Sequence, residues 1–204
     1  MFDVMTLILI LCGTTAANAA AVWLYARSTS VKGPGWWIVG AALVSAGMAL
    51  VSMRPVVGDV VSVVTANLFV QAGYALTWEG MRRYMGKGFS LTAVLVSLAI
   101  IGGVTYGNHF FSHVTVSHSA RILINAGGIF FFSVFIANTL LLGKLHHGVV
   151  TFIGAAYSVN AVVNVVRLGG PVVAAGDVPF LQAGLPVAVF LKFSILFSLS
   201  VILG

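Results

Sequence analysis

Seven stretches of this chain, at 3–26, 36–53, 59–81, 90–108, 119–143, 148–167 and 181–204, are almost free of charge, and each is close to the length a helix needs to cross a bilayer. A hydrocarbon core about 30 Å thick takes roughly 20 apolar residues per helix. Between the stretches lie short segments that hold most of the Gly, Pro and charge. A membrane barrel is a poor alternative, because its strands would alternate polar and apolar residues, whereas 91–103 is apolar on every face. The expectation is therefore an all-α, polytopic membrane protein, a single bundle of seven transmembrane helices over 1–204.

Composition supports a lipid solvent. Of 204 residues, 60% are hydrophobic and 7% charged, a balance that leaves too little polar surface to cover a water-soluble domain of this size. The formal charge of +6 does not point to nucleic acid, because the basic residues are dispersed between apolar runs rather than gathered in a patch. Cys12 is the single cysteine, so an intrachain disulfide or multi-cysteine metal site is excluded. The N-terminal run opens with Asp3 rather than a basic region and continues to Tyr25, which favours a retained helix over a cleaved leader.

Charge placement predicts orientation. With the N-terminus outside, the cytoplasmic side receives six basic residues, Arg27, Lys32, Arg82, Arg83, Lys87 and Lys144, and the outer side three, Arg54, Arg121 and Arg167. An excess of Lys and Arg marks the cytoplasmic side, so the C-terminus is expected there. Trp23 with Tyr25, Trp36 with Trp37, and Trp78 with Tyr84 fall at the cytoplasmic ends of their spans, where aromatic belts form.

The segment 35–86 carries the most specific pattern: Gly35-Trp36-Trp37 opening a helix, Met53-Arg54-Pro55 and Asp59 in a short outer loop, and Trp78-Glu79-Gly80-Met81-Arg82-Arg83-Tyr84-Met85-Gly86 closing the next span. It resembles the multi-helix membrane region found ahead of GGDEF domains in bacterial diguanylate cyclases, where a Trp-x-Gly-x-Arg-Arg-aromatic-x-Gly pattern ends the third span. The resemblance implies a sensory input region joined to a cytoplasmic output domain or partner protein. It also implies a homodimer, since a GGDEF active site forms between two such domains. No Gly-Gly-Asp/Glu-Glu-Phe motif occurs in these residues, so cyclase activity is not assigned to them. Lys192 is a departure from the pattern, in which that helix is expected to be uncharged.

Lys192 lies near the middle of the seventh span, where an ammonium costs roughly 2.5–3.5 kcal/mol on insertion scales unless paired or hydrated. A lysine there also resembles the Schiff-base lysine of microbial rhodopsins, but no carboxylate occupies the middle of the third span to balance an imine cation. Asn160, Asn164 and Arg167 fall at i, i+4 and i+7, a polar stripe that serves either interhelical hydrogen bonding or a ligand pocket. Asn67, Gln71, Asn125 and Asn138 add polar groups to the third and fifth spans. Arg54, Arg121 and Arg167 near the outer face would grip an anionic ligand or pair with Asp59 and Asp177. His109, His113 and His118 cluster at an outer loop and are candidate ligands for zinc, copper or haem, though their spacing is that of no defined site.

Nucleophilic catalysis has no support, since no Ser-His-Asp arrangement or phosphate loop can be assembled. Gly102-Gly103, Gly127-Gly128 and Gly169-Gly170 read as close-packing or helix-end positions. The leading functional expectation is a non-enzymatic sensory or regulatory membrane module. The alternatives are a small transporter or channel with a polar path near Lys192, and a structural assembly subunit.

Overall fold

The computed structural model describes residues 32–143 and 148–173, together with positions 13, 17, 20, 23 and 24. Every regular element among them is helical. The chain runs through α1 (Pro34–Ser52), α2 (Arg54–Val60), a π-helical turn (Val61–Thr65), α3 (Ala66–Tyr84), α4 (Leu91–His113), α5 (His118–Leu141) and α6 (Gly148–Val173). The expected spans at 3–26 and 181–204, and Lys192 with them, lie outside the described residues. Three helices, α1, α4 and α5, are long and apolar enough to cross a membrane, and α6 holds a shorter apolar stretch at Val150–Val165.

Local chemistry sets the helix ends. Pro34 stands at the start of α1, where its missing N–H costs nothing. Ser90 and Ser117 cap α4 and α5, their hydroxyls accepting from the amides of Ala93 and Ala120 at 3.2 Å. At the end of α3, Gly86 takes φ of 75° and closes a Schellman turn. Its amide donates to the Arg83 carbonyl at 3.0 Å, and that of Lys87 to the Arg82 carbonyl at 2.9 Å.

Two boundaries differ from the sequence expectation. After a one-residue turn at Met53, Arg54 and Pro55 are helical rather than in a loop, Pro55 falling in the first turn of α2. The break comes later, at Gly58, with φ of 77° and ψ of 169°. Further on, α4 continues through His109 to His113, and α5 begins at His118. These histidines therefore sit on helices and not in an extended loop.

Helices α3 and α5 form the centre: α3 packs on α1, α4 and α5, and α5 on α3, α4 and α6. The α1–α3 pair is antiparallel and is joined by small residues seven apart on each helix. Gly33 faces Gly80, Gly40 faces Gly73 and Gly47 faces Ala66. A Cβ at Gly40 would lie 2.7 Å from the Gly73 carbonyl oxygen, and one at Gly73 would lie 2.6 Å from that of Gly40. Only without side chains do the two backbones come this close, which is how helices associate where lipid supplies no hydrophobic drive.

Polarity is distributed inside out. Gln71, Asn108 and Ser133 are fully buried, whereas Leu95, Leu98, Tyr106 and Val162 are each more than half exposed. In water such a surface would be costly; against lipid tails it is the stable arrangement. With three span-length apolar helices, this identifies a membrane protein. Met81, Ile136, Leu140 and Val150 form the apolar core where α3, α5 and α6 meet.

Candidate functional site

The residues able to do more than pack fall in three places. The first is the junction built from the Trp78–Gly86 motif. Glu79 Oε2 accepts from Arg82 Nη1 at 2.7 Å and Oε1 from Arg83 Nε at 2.8 Å, so one carboxylate holds both guanidinium groups. Arg82 also donates to the Gly88 carbonyl at 3.1 Å, fixing the turn into α4. Trp78 donates its indole N–H to Thr139 Oγ1 on α5 at 3.1 Å and stacks on Phe135 at 4.7 Å. Gly80 lies against Gly33 and the Trp37 ring of α1, and Tyr84 meets Trp37 at 5.4 Å. Each position of the motif thus has a mechanical task. Together they fasten α1, α3 and α5 at one end of the bundle.

The second place is a pair of amides between α4 and α5, Asn108 fully buried and Asn125 partly so. Asn108 Nδ2 donates to Asn125 Oδ1, and Asn125 Nδ2 to Asn108 Oδ1, both at 2.9 Å. Asn125 also donates to the Arg121 carbonyl at 2.8 Å, and its own carbonyl accepts from Gln71 Nε2 at 3.3 Å. Gln71 is seated over Gly128, where any Cβ would strike its amide. Its Oε1 has no hydrogen-bond partner among the described residues.

The third place lies between α3, α5 and α6. Asn160 Nδ2 donates to Ser133 Oγ at 2.9 Å and reaches the Tyr74 hydroxyl at 3.5 Å. Asn164 donates back to the Asn160 carbonyl at 2.8 Å. The expected Asn160–Asn164 stripe therefore faces protein. The side chain of Arg167, on α6, lies outside the described residues.

Arg121 is buried at the opposite end of the bundle from the Trp78 junction. It donates to His118 Nδ1 and to Ser112 Oγ at 3.4 Å. Arg121 and Ser133 are separated by about 18 Å of helix, so Arg121 and the Asn160–Asn164 stripe occupy different neighbourhoods. Arg54 is exposed at the start of α2. His109 and His113 bring their rings to 4.9 Å on one face of α4, while His118 is engaged with Arg121. Among the described residues no three His, Cys, Asp or Glu side chains gather as a metal site.

Other sequence readings shift. Asn67 donates to the Val63 carbonyl at 2.7 Å across the π turn. Asn138 is exposed on α5, away from Asn125. Of the glycine pairs, Gly128 is a close-packing position, but Gly102, Gly103 and Gly127 face open space. Ser133, Tyr74 and Thr139 were not singled out from sequence; their roles depend on which helices meet. No protein-family model, curated protein or solved structure matches the chain.

Proposed function

We propose that this chain is a seven-span sensory or regulatory input module of a bacterial inner membrane, with its N-terminus outside and its C-terminus in the cytoplasm. It passes a shift in helix packing to a cytoplasmic output such as a diguanylate cyclase and carries no catalytic chemistry of its own. The observation that carries the reading is the Trp78–Gly86 junction, where the Trp78 indole N–H ties α3 to α5, the glycine seam ties α3 to α1, and one carboxylate of α3 holds both arginines of the same helix. A displacement of α1 or α5 there is felt by the whole bundle end. The buried amides supply the second requirement, polar contacts that can be exchanged between two packings a few kcal/mol apart. Arg54, Arg121, Asn160, Asn164, Arg167 and Lys192 are the residues at which a stimulus would act.

The test is to read the source gene beyond the codon for Gly204. A linker leading into a GGDEF-type sequence supports an input module. A stop codon there sinks that reading and makes substrate uptake by proteoliposomes the next assay.

A further inference from the structure

At the junction end, cations outnumber anions in a way that packing does not resolve. Among the described residues, Lys32, Arg82, Arg83 and Lys87 lie there against one carboxylate, that of Glu79, and both its oxygens are already taken by Arg82 and Arg83. Arg82 is spent internally, on Glu79 and on the Gly88 carbonyl. Arg83 is not. Only its Nε is hydrogen-bonded among the described residues, its guanidinium carbon lies 4.7 Å from the centroid of the Trp36 ring, and its side chain is 36% exposed. Lys32 and Lys87 are exposed on either side. Lys32 precedes Gly33, which packs against Tyr84, the neighbour of Arg83; Lys87 follows the Schellman turn at Gly86.

The apolar groups around these cations point to what they meet. Trp36 is 37% exposed and Phe89 73% exposed. An indole beside a guanidinium, with a phenyl ring outside the helix ends, is the chemistry of the headgroup layer, where one part of a side chain is wet and the other is in lipid. A planar guanidinium held by a ring presents two parallel N–H donors to a phosphate. We infer that Lys32, Arg83 and Lys87 form a seat for the headgroup of an anionic phospholipid, with Trp36 holding the Arg83 fork and Phe89 beside the acyl chains. The seat is independent of whatever output the chain serves. It makes the packing of α1 on α3, which Arg83 spans, responsive to the charge of the leaflet.

Each basic side chain near an anionic surface strengthens association by roughly fivefold, so loss of three weakens it by about a hundredfold. The test is native mass spectrometry of the full chain released from micelles containing equal amounts of phosphatidylglycerol and phosphatidylcholine. The wild-type chain is expected to retain phosphatidylglycerol preferentially. The K32Q/R83Q/K87Q variant is expected to lose that preference while its circular dichroism keeps the wild-type helix content. R83K, which keeps the charge and loses the planar fork, is expected to fall between them. Should the triple variant fail to fold, K32Q and K87Q, at exposed positions, carry the comparison, each with about a fivefold loss. Equal retention of the two lipids by the wild type, or unchanged preference in the variants, overturns the proposal. Displacement of the lipid by millimolar inorganic phosphate also overturns it, because the seat would then serve a soluble anion.

Discussion

Individual residues matter here chiefly through the space they leave and the charges they share. Gly73 and Gly102 are both helical glycines, yet their substitution by alanine should act in opposite directions. A methyl at Gly73 would meet the Gly40 carbonyl and the Val44 side chain, both at 2.6 Å, whereas Gly102 has nothing within 4 Å. Overpacking of this kind costs about 1–3 kcal/mol. Replacing an unopposed helical glycine gains up to about 1 kcal/mol. Thermal unfolding in detergent should therefore place G73A below and G102A at or above the wild-type chain; equal shifts would mean that the seam is not a tight contact. Glu79 poses the complementary case. Its carboxylate is shared by two guanidinium groups, and Arg82 is buried. E79Q should cost about 1.5–3 kcal/mol, the range for hydrogen bonds to charged groups. Adding R82Q should recover part of that loss, and strict additivity in the double-mutant cycle would show that the pair does not interact.

At the scale of elements, hydropathy made the helices legible before their partners. The low-charge runs at 36–53, 59–81, 90–108, 119–143 and 148–167 each correspond to helix, because continuous apolar sequence is a one-dimensional signal. Which faces meet is not. The seam was written in the sequence as Gly33, Gly40 and Gly47 against Ala66, Gly73 and Gly80, a spacing of seven on both helices. Adjacent glycine pairs are more conspicuous, but two neighbours on a helix point about 100° apart and cannot both line one contact. The Asn108–Asn125 pair was illegible for a related reason, since it depends on the register of α4 against α5, which nothing local specifies. Reciprocal amides between membrane helices couple by about 0.6 kcal/mol on average and up to about 1.7 kcal/mol. The cycle N108A, N125A and N108A/N125A, read by reversible unfolding in mixed micelles, should give coupling near the upper figure, because both amide bonds are lost together. Coupling near zero would mean that each amide finds another partner when the first is removed.

Among the described residues, polar groups such as Gln71, Asn108 and Ser133 are buried between the helices while large apolar side chains cover the outside, and that arrangement leaves the orientation to be decided by the flanking charges. Arg82, Arg83 and Lys87 follow the apolar part of α3, and Lys32 precedes α1, so these helices put their basic residues at the same end of the bundle. Arg54 and Arg121 fall at the other end, in smaller number. Lys and Arg resist transfer across the membrane, which predicts that the junction end stays in the cytoplasm. Alkaline phosphatase fused after Thr115, between α4 and α5, should be active, since it folds only outside. Fusion after Lys87, between α3 and α4, should be inactive, and a fluorescent protein that matures in the cytoplasm should give the opposite pattern at the two sites. The proposed signalling reading requires this result, because the motif that ties α1, α3 and α5 must face the compartment of its output. A phosphatase active after Lys87 would reverse the bundle and remove the junction from the cytoplasm. The basic seat beside Trp36 would then face the outer leaflet, where a phosphatidylglycerol headgroup would still satisfy it, so the lipid inference and the signalling reading stand or fall on separate measurements.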